Sequence, residues 1–126
     1  MTDDLTGRDG PRDPDRLFHI LSSPVWSGLG AHELYWPESL AQEGFVHLSY
    51  RDQVLGTADR FYLDLPDPVA VEFARGRLGA AVLDEDSYGT GQRFPHLYAP
   101  VPVAAAVAVH PLVRGDNGYC WDVDPH

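Results

Sequence analysis

Phe45-Val-His-Leu-Ser49, followed by Tyr50-Arg-Asp-Gln-Val-Leu-Gly-Thr-Ala-Asp-Arg-Phe-Tyr62, changes its hydrophobic period at Ser49. The first five residues alternate as a strand does, with Phe45, His47 and Ser49 on one face and Val46 and Leu48 on the other. Beyond Ser49, the residues Val54, Leu55, Ala58, Phe61 and Tyr62 fall at helical spacing, which predicts a helix over 50–62. Ser49 with Asp52 three places on has the spacing of a capping box at its start. A strand handing directly to an amphipathic helix points to a mixed fold.

The flanking sequence extends that pattern. Leu17-Phe-His-Ile-Leu21 reads as a first strand, and Ser23-Pro24 as the start of a short helical segment that ends by Gly30. Pro37 to Gly44 reads as one or two helical turns stopped by glycine. Val69–Phe73, Ala80–Leu83 and Ala106–His110 are apolar strand candidates, and Phe94-Pro-His-Leu-Tyr98 is a further segment among prolines. The acidic, glycine-rich stretch from Asp84 to Gln92 reads as a surface loop. About five or six strands and one good helix make the class α+β. Residues 1–15, rich in Asp, Gly, Pro and Thr, read as a disordered leader to a single domain over 16–126.

Composition narrows the partners. The 126 residues carry nine Lys+Arg against nineteen Asp+Glu, a formal net charge of −10, and contain no lysine. An extended nucleic-acid groove needs a basic stripe to neutralise phosphates, so a small molecule or single nucleotide is the expected ligand. No apolar run approaches the length of about 18 residues that spans a bilayer, and the N-terminus lacks a signal-peptide pattern. With a single cysteine, Cys120, these features predict a cytoplasmic protein. Nothing in the pattern sets an oligomeric state.

Three histidines interrupt otherwise apolar strands: His19 between Leu17 and Leu21, His47 between Phe45 and Ser49, and His96 between Phe94 and Tyr98. Each alone reads equally well as a hydrogen-bonded core histidine. Three in one small domain shift the weight toward a shared site, because imidazole transfers protons near neutral pH. Three histidines also suit zinc, but none stands at the tight spacing of helical or knuckle ligands, and no metal site is assigned. No Gly-x-Ser-x-Gly elbow and no Gly-x-x-x-x-Gly-Lys phosphate loop occurs. Glu43 and Glu85 read as solvated side chains, although Glu85 lies between a strand and a loop, where active-site residues often occur.

Leu17-Phe-His-Ile, Tyr35-x-Pro-Glu-Ser-Leu40, Glu43-Gly-Phe-Val-His-Leu-Ser49, Asp59-Arg-Phe61 and Arg93-Phe-Pro-His-Leu-Tyr98 together resemble the bacterial domain-of-unknown-function family 952. The resemblance spans about residues 16–113, with Leu48 where members more often have Cys and Ala99 where they often have Gly. That family is similar in turn to the ADP-ribosyltransferase-like fold of RNA 2′-phosphotransferases, which share a first-strand histidine and a Val-His-Leu-Ser strand. The resemblance implies a split antiparallel sheet with few short helices around a cleft for nicotinamide adenine dinucleotide or an ADP-ribosyl group. RNA 2′-phosphotransferases carry an arginine just before that strand, where this chain reads Ala41-Gln-Glu-Gly44, and the negative charge also argues against an RNA substrate.

The leading expectation is an enzyme acting on a small molecule or nucleotide. His47 is its general acid or base, His19 orients the substrate, and His96 with Tyr98 forms a wall with a second polar contact. Ser49, Phe45, Arg60 and Arg93 are the further substrate-binding candidates. Arginines converging on the cleft would mark an anionic ligand. A second expectation is a secondary-metabolite cyclase, isomerase or hydrolase that needs no dinucleotide, with Trp26, Trp36 and Phe61 around an apolar cavity. A third is a binding module without turnover.

Overall fold

β1, Arg16–Ser22, buries its five central residues on both faces. Leu17 and Leu21 enter one apolar cluster with Val71 and Phe73, while Phe18 and Ile20 enter a second with Val54, Leu55 and Ala58. A strand covered on both sides reads as a continuous apolar run, as this one does. The computed structural model describes residues 10–87 and 89–122, so residues 1–9 of the leader expected over 1–15 lie outside that range. Residues 10–15 touch the domain: Arg12 pairs with Asp52 at 2.7 Å and lies over the Tyr50 ring, 4.2 Å from its centre.

β1 pairs antiparallel with β4 (Pro68–Ala74), β4 with β8 (Ala106–Gly115), and β8 with β9 (Gly118–Trp121). A second antiparallel sheet has the order β3 (Val46–His47), β6 (Phe94–Leu97), β5 (Val82–Glu85). A small ribbon joins β2 (Leu34–Tyr35) to β7 (Val101–Pro102). Three short α-helices lie among the described residues: α1 (Ser23–Ser27), α2 (Glu38–Glu43) and α3 (Arg51–Phe61). The architecture is α+β, with antiparallel sheets and few short helices. No helix among the described residues is long and apolar enough to cross a membrane.

The two larger sheets meet at a single bridge. Phe18 N–H donates to the Ser49 carbonyl and Ser49 N–H to the Phe18 carbonyl, both at 2.8 Å. Regular pairing goes no further, so β1 and β3 leave a seam between them.

Three local readings need correction. The strand predicted over 45–49 is two residues long plus that bridge, although its alternation holds, with Val46 and Leu48 buried and Phe45 and His47 half-buried. The helix cap is Tyr50 with Gln53, whose Oε1 accepts the Tyr50 N–H at 3.0 Å, in place of Ser49 with Asp52. Gln53 is buried and its amide also donates to the Arg93 carbonyl at 2.7 Å, so one side chain both caps α3 and ties it to the start of β6. β5 runs through Glu85, into the stretch read as a loop, and the chain after Gly115 turns back as β9. That hairpin requires glycine at 118, where φ is +115° and a Cβ would lie 2.6 Å from Asp59 Oδ2.

Candidate functional site

His19 sits on β1 beside the seam and is 7% exposed. Its Nδ1 lies 2.8 Å from the His47 carbonyl oxygen, a distance at which Nδ1–H donates. The side chain thereby continues the link between the sheets one residue beyond the backbone bridge. Burial pushes the imidazole down to about 4, outweighing the bond to that carbonyl, and nearby His47 adds to the fall. His19 is therefore neutral at neutral pH, protonated on Nδ1, with Nε2 left as an acceptor. No described residue hydrogen-bonds that nitrogen.

His47 follows a chain reversal that the sequence encodes locally. α2 ends at Gly44 in a left-handed turn of φ 88°, which returns Glu43 to the side of β3. Glu43 Oε2 then stands 3.1 Å from His47 Nε2. Two cavities share Ile20, His47 and Tyr62 as a common wall. The smaller, about 280 Å³, is bounded by Ser49, Thr57 and the rings of Phe18, Phe61 and Phe94. The larger, about 440 Å³, is bounded by His19, Tyr35, Glu38, Ser39, Gln42 and Glu43. Neither wall contains an arginine.

His96 is fully buried on the other side of His47, in register with it across β3 and β6. Phe45 stacks on its ring at 4.0 Å, and the His47 ring meets it edge-on at 5.3 Å. His96 Nδ1 lies 2.9 Å from Glu85 Oε1, the oxygen that also accepts from the Tyr98 hydroxyl. The Tyr98 bond, then that of His96, holds the Glu85 carboxyl below its ordinary range, and the same contact raises the Tyr98 phenol. His96 Nε2 is buried without a partner among the described residues.

The expected residues thus divide. His19, His47 and Ser49 share the seam and its cavities. His96, Phe45 and Tyr98 form a neighbouring cluster that borders neither cavity and touches the site only through the His47 ring. Arg60 and Arg93 are exposed and do not converge on the histidines: Arg60 lies over the Phe61 ring, and the main chain of Arg93 serves Gln53. Of the apolar candidates only Phe61 lines a cavity. Trp26 packs edge-on against Phe73 in the core, and Trp36 is 65% exposed. Glu43 and Glu85, read as solvated, are the carboxylate partners of His47 and His96. The four-residue spacing of Glu43 and His47 was the available signal. For Glu85, eleven residues from His96 across a hairpin, the signal was its place between a strand and a loop, which names no partner. No group of three or more His, Cys, Asp or Glu able to hold a metal ion occurs among the described residues.

A family model described as "Protein of unknown function (DUF952)" matches residues 20–109. The chain belongs to the DUF952 family. The matched stretch holds His47, Ser49, His96 and Tyr98 and begins directly after His19. This DUF952 chain is also similar to protein CC0527 from Caulobacter crescentus. The crystal structure of that protein is 28% identical, with a TM-score of 0.68 over 85% of this chain and 93% of that one. Its solution NMR structure gives the same identity and a TM-score of 0.69, over 84% and 91%. Nothing matches among curated proteins.

Proposed function

We propose that this DUF952 chain is a small-molecule enzyme that does acid–base chemistry at the β1–β3 seam without a dinucleotide. The observation that carries this reading is the pairing of two unlike imidazoles on one cavity. His19 is held neutral with Nε2 as a bare acceptor, and His47 lies against the Glu43 carboxylate. Two titratable groups whose surroundings differ this much suit different roles in one reaction. His47 is the general acid or base: Glu43 stabilises its imidazolium when it takes up a proton and releases it again from the same ring. His19, kept neutral by its burial, orients a substrate N–H or O–H through Nε2. The aromatic lobe beside Ser49 and Thr57 holds the apolar body of the substrate and keeps water from it.

The walls do not suit nicotinamide adenine dinucleotide. A pyrophosphate needs cations or a ring of N–H donors, whereas the charged side chains on these cavities are Glu38 and Glu43. The test is mass-spectrometric profiling of a small-molecule extract incubated with the full chain. A compound should be consumed, with turnover slowed on the order of 10²-fold or more in His47→Ala. Tight binding of a compound that is never turned over would instead make the chain a binding module.

A second reading, transfer of an ADP-ribosyl group on an ADP-ribosyltransferase-like fold, rests on a different observation. Two antiparallel sheets joined at one bridge, with a first-strand histidine beside a Val-His-Leu-Ser strand, is the arrangement expected of that fold. Calorimetry with the dinucleotide separates the two. No heat at millimolar ligand is expected, and saturable binding lost in His47→Ala would favour the second reading.

A further inference from the structure

We infer that the cleft selects a protonated amine: an apolar body in the aromatic lobe, and an ammonium among Glu38, Glu43 and the imidazole of His19. This deepens the acid–base reading of the same site and rests on it. Charge is the first argument. The two lobes together present two carboxylates and no arginine, and the chain contains no lysine to reach in from elsewhere. Hydrogen-bond complementarity is the second, and it is independent of charge. His19 is more than nine-tenths buried, faces the larger cavity, and offers Nε2 as an acceptor that no described residue satisfies. A ligand that fills the cavity takes water away from this acceptor, so the group set against it must bring an N–H or O–H of its own. Glu43 and Glu38 add acceptors to the same wall, and an ammonium supplies three donors at once.

The apolar lobe agrees. Phe18, Phe61, Phe94 and Tyr62 surround about 280 Å³ next to the shared wall. Ring faces attract a cation and accept its hydrocarbon stem, whereas they repel a carboxylate or phosphate. The net charge of −10 acts over a longer range, raising the local concentration of cations and lowering that of anions. Arg60 and Arg93, the groups that would reverse this preference, are exposed and line neither lobe, Arg60 lying over the Phe61 ring.

The experiment is calorimetry of the full chain near neutral pH with matched pairs on one skeleton: benzylamine and benzoate, 2-phenylethylamine and phenylacetate, hexylamine and hexanoate. At least one amine should bind in the millimolar range or tighter, with its carboxylate weaker by about tenfold or more. Replacing both carboxylates, Glu38→Gln with Glu43→Gln, should weaken the amine by about tenfold while the circular dichroism spectrum is unchanged. Equal or tighter carboxylate binding, no binding by any amine, or an unaffected double variant each overturn the inference. Binding is read here without turnover. Amine binding with no turnover leaves the inference standing and removes the enzyme, while turnover of a compound without an amine does the reverse.

Discussion

His19 on β1 and His96 on β6 are both buried imidazoles, on antiparallel strands of different sheets, and they have opposite surroundings. His19 has a backbone carbonyl on Nδ1, a cavity beside it, and no carboxylate in hydrogen-bond contact. His96 has the Glu85 carboxylate on Nδ1 and Phe45 stacked on its face, and it borders neither of the two cavities. A neutral donor pair leaves His19 with an acceptor that a ligand can reach. His96 spends its polar contact on Glu85 and its area on Phe45, which locks the wall behind His47. Burial and an Nε2 without a protein partner, which both rings have, therefore do not mark a functional histidine; a cavity beside the ring does.

The comparison breaks first in acid. In the unfolded chain His19 takes up a proton near 6.5, and in the fold only near 4. Between those values the unfolded state binds more protons, so stability falls as pH falls. The contribution of His19 is full above about pH 6.5, and about 3 kcal/mol is lost by pH 4. Urea unfolding across that range should show the slope, and His19→Gln should flatten it; an unchanged slope would mean that His19 is not buried neutral.

Truncating His96 to alanine should cost about 2 kcal/mol by the same measurement. The ring loses its stack on Phe45, while removal of the unsatisfied Nε2 offsets part of that loss. A cost below that of a surface change would place His96 in a looser wall than the stacking indicates. His47→Ala, at a half-buried position with an exposed carboxylate partner, should cost less than about 1 kcal/mol and act on turnover instead. The smallest effect is local. Tyr98→Phe removes the chief hydrogen bond holding the Glu85 carboxyl low, so the titration of Glu85 followed by NMR should move upward.

Much of this was legible where the physics is local. The apolar run of β1, the helical spacing of Val54, Leu55 and Ala58, and the glycine stop at Gly44 each depend on neighbours in sequence. The pairing of Val46 and Leu48 toward the core followed from alternation alone. The hairpin of β9 was missed because Tyr119 and Trp121 gain their burial from contacts far along the chain. Tyr119 N–H donates to Asp59 Oδ1 at 2.6 Å, and its hydroxyl to the Tyr62 carbonyl at 2.8 Å. The cap fell one residue away from the expected place because Gln53 satisfies two backbone groups at once, one of them the distant Arg93 carbonyl.

By itself the sequence determined an α+β chain with histidines on three strands, a negative surface, and Ser49 at the hinge between strand and helix. Those properties follow from side-chain chemistry and periodicity, which travel with the residues. Only the tertiary structure decided that His19 and His47 share one seam, that His96 lies behind it, and that Arg60 and Arg93 stand apart. Which imidazole keeps a reachable nitrogen depends on strand register and on which carboxylate arrives beside it. Both are set by long-range pairing, which no local pattern records.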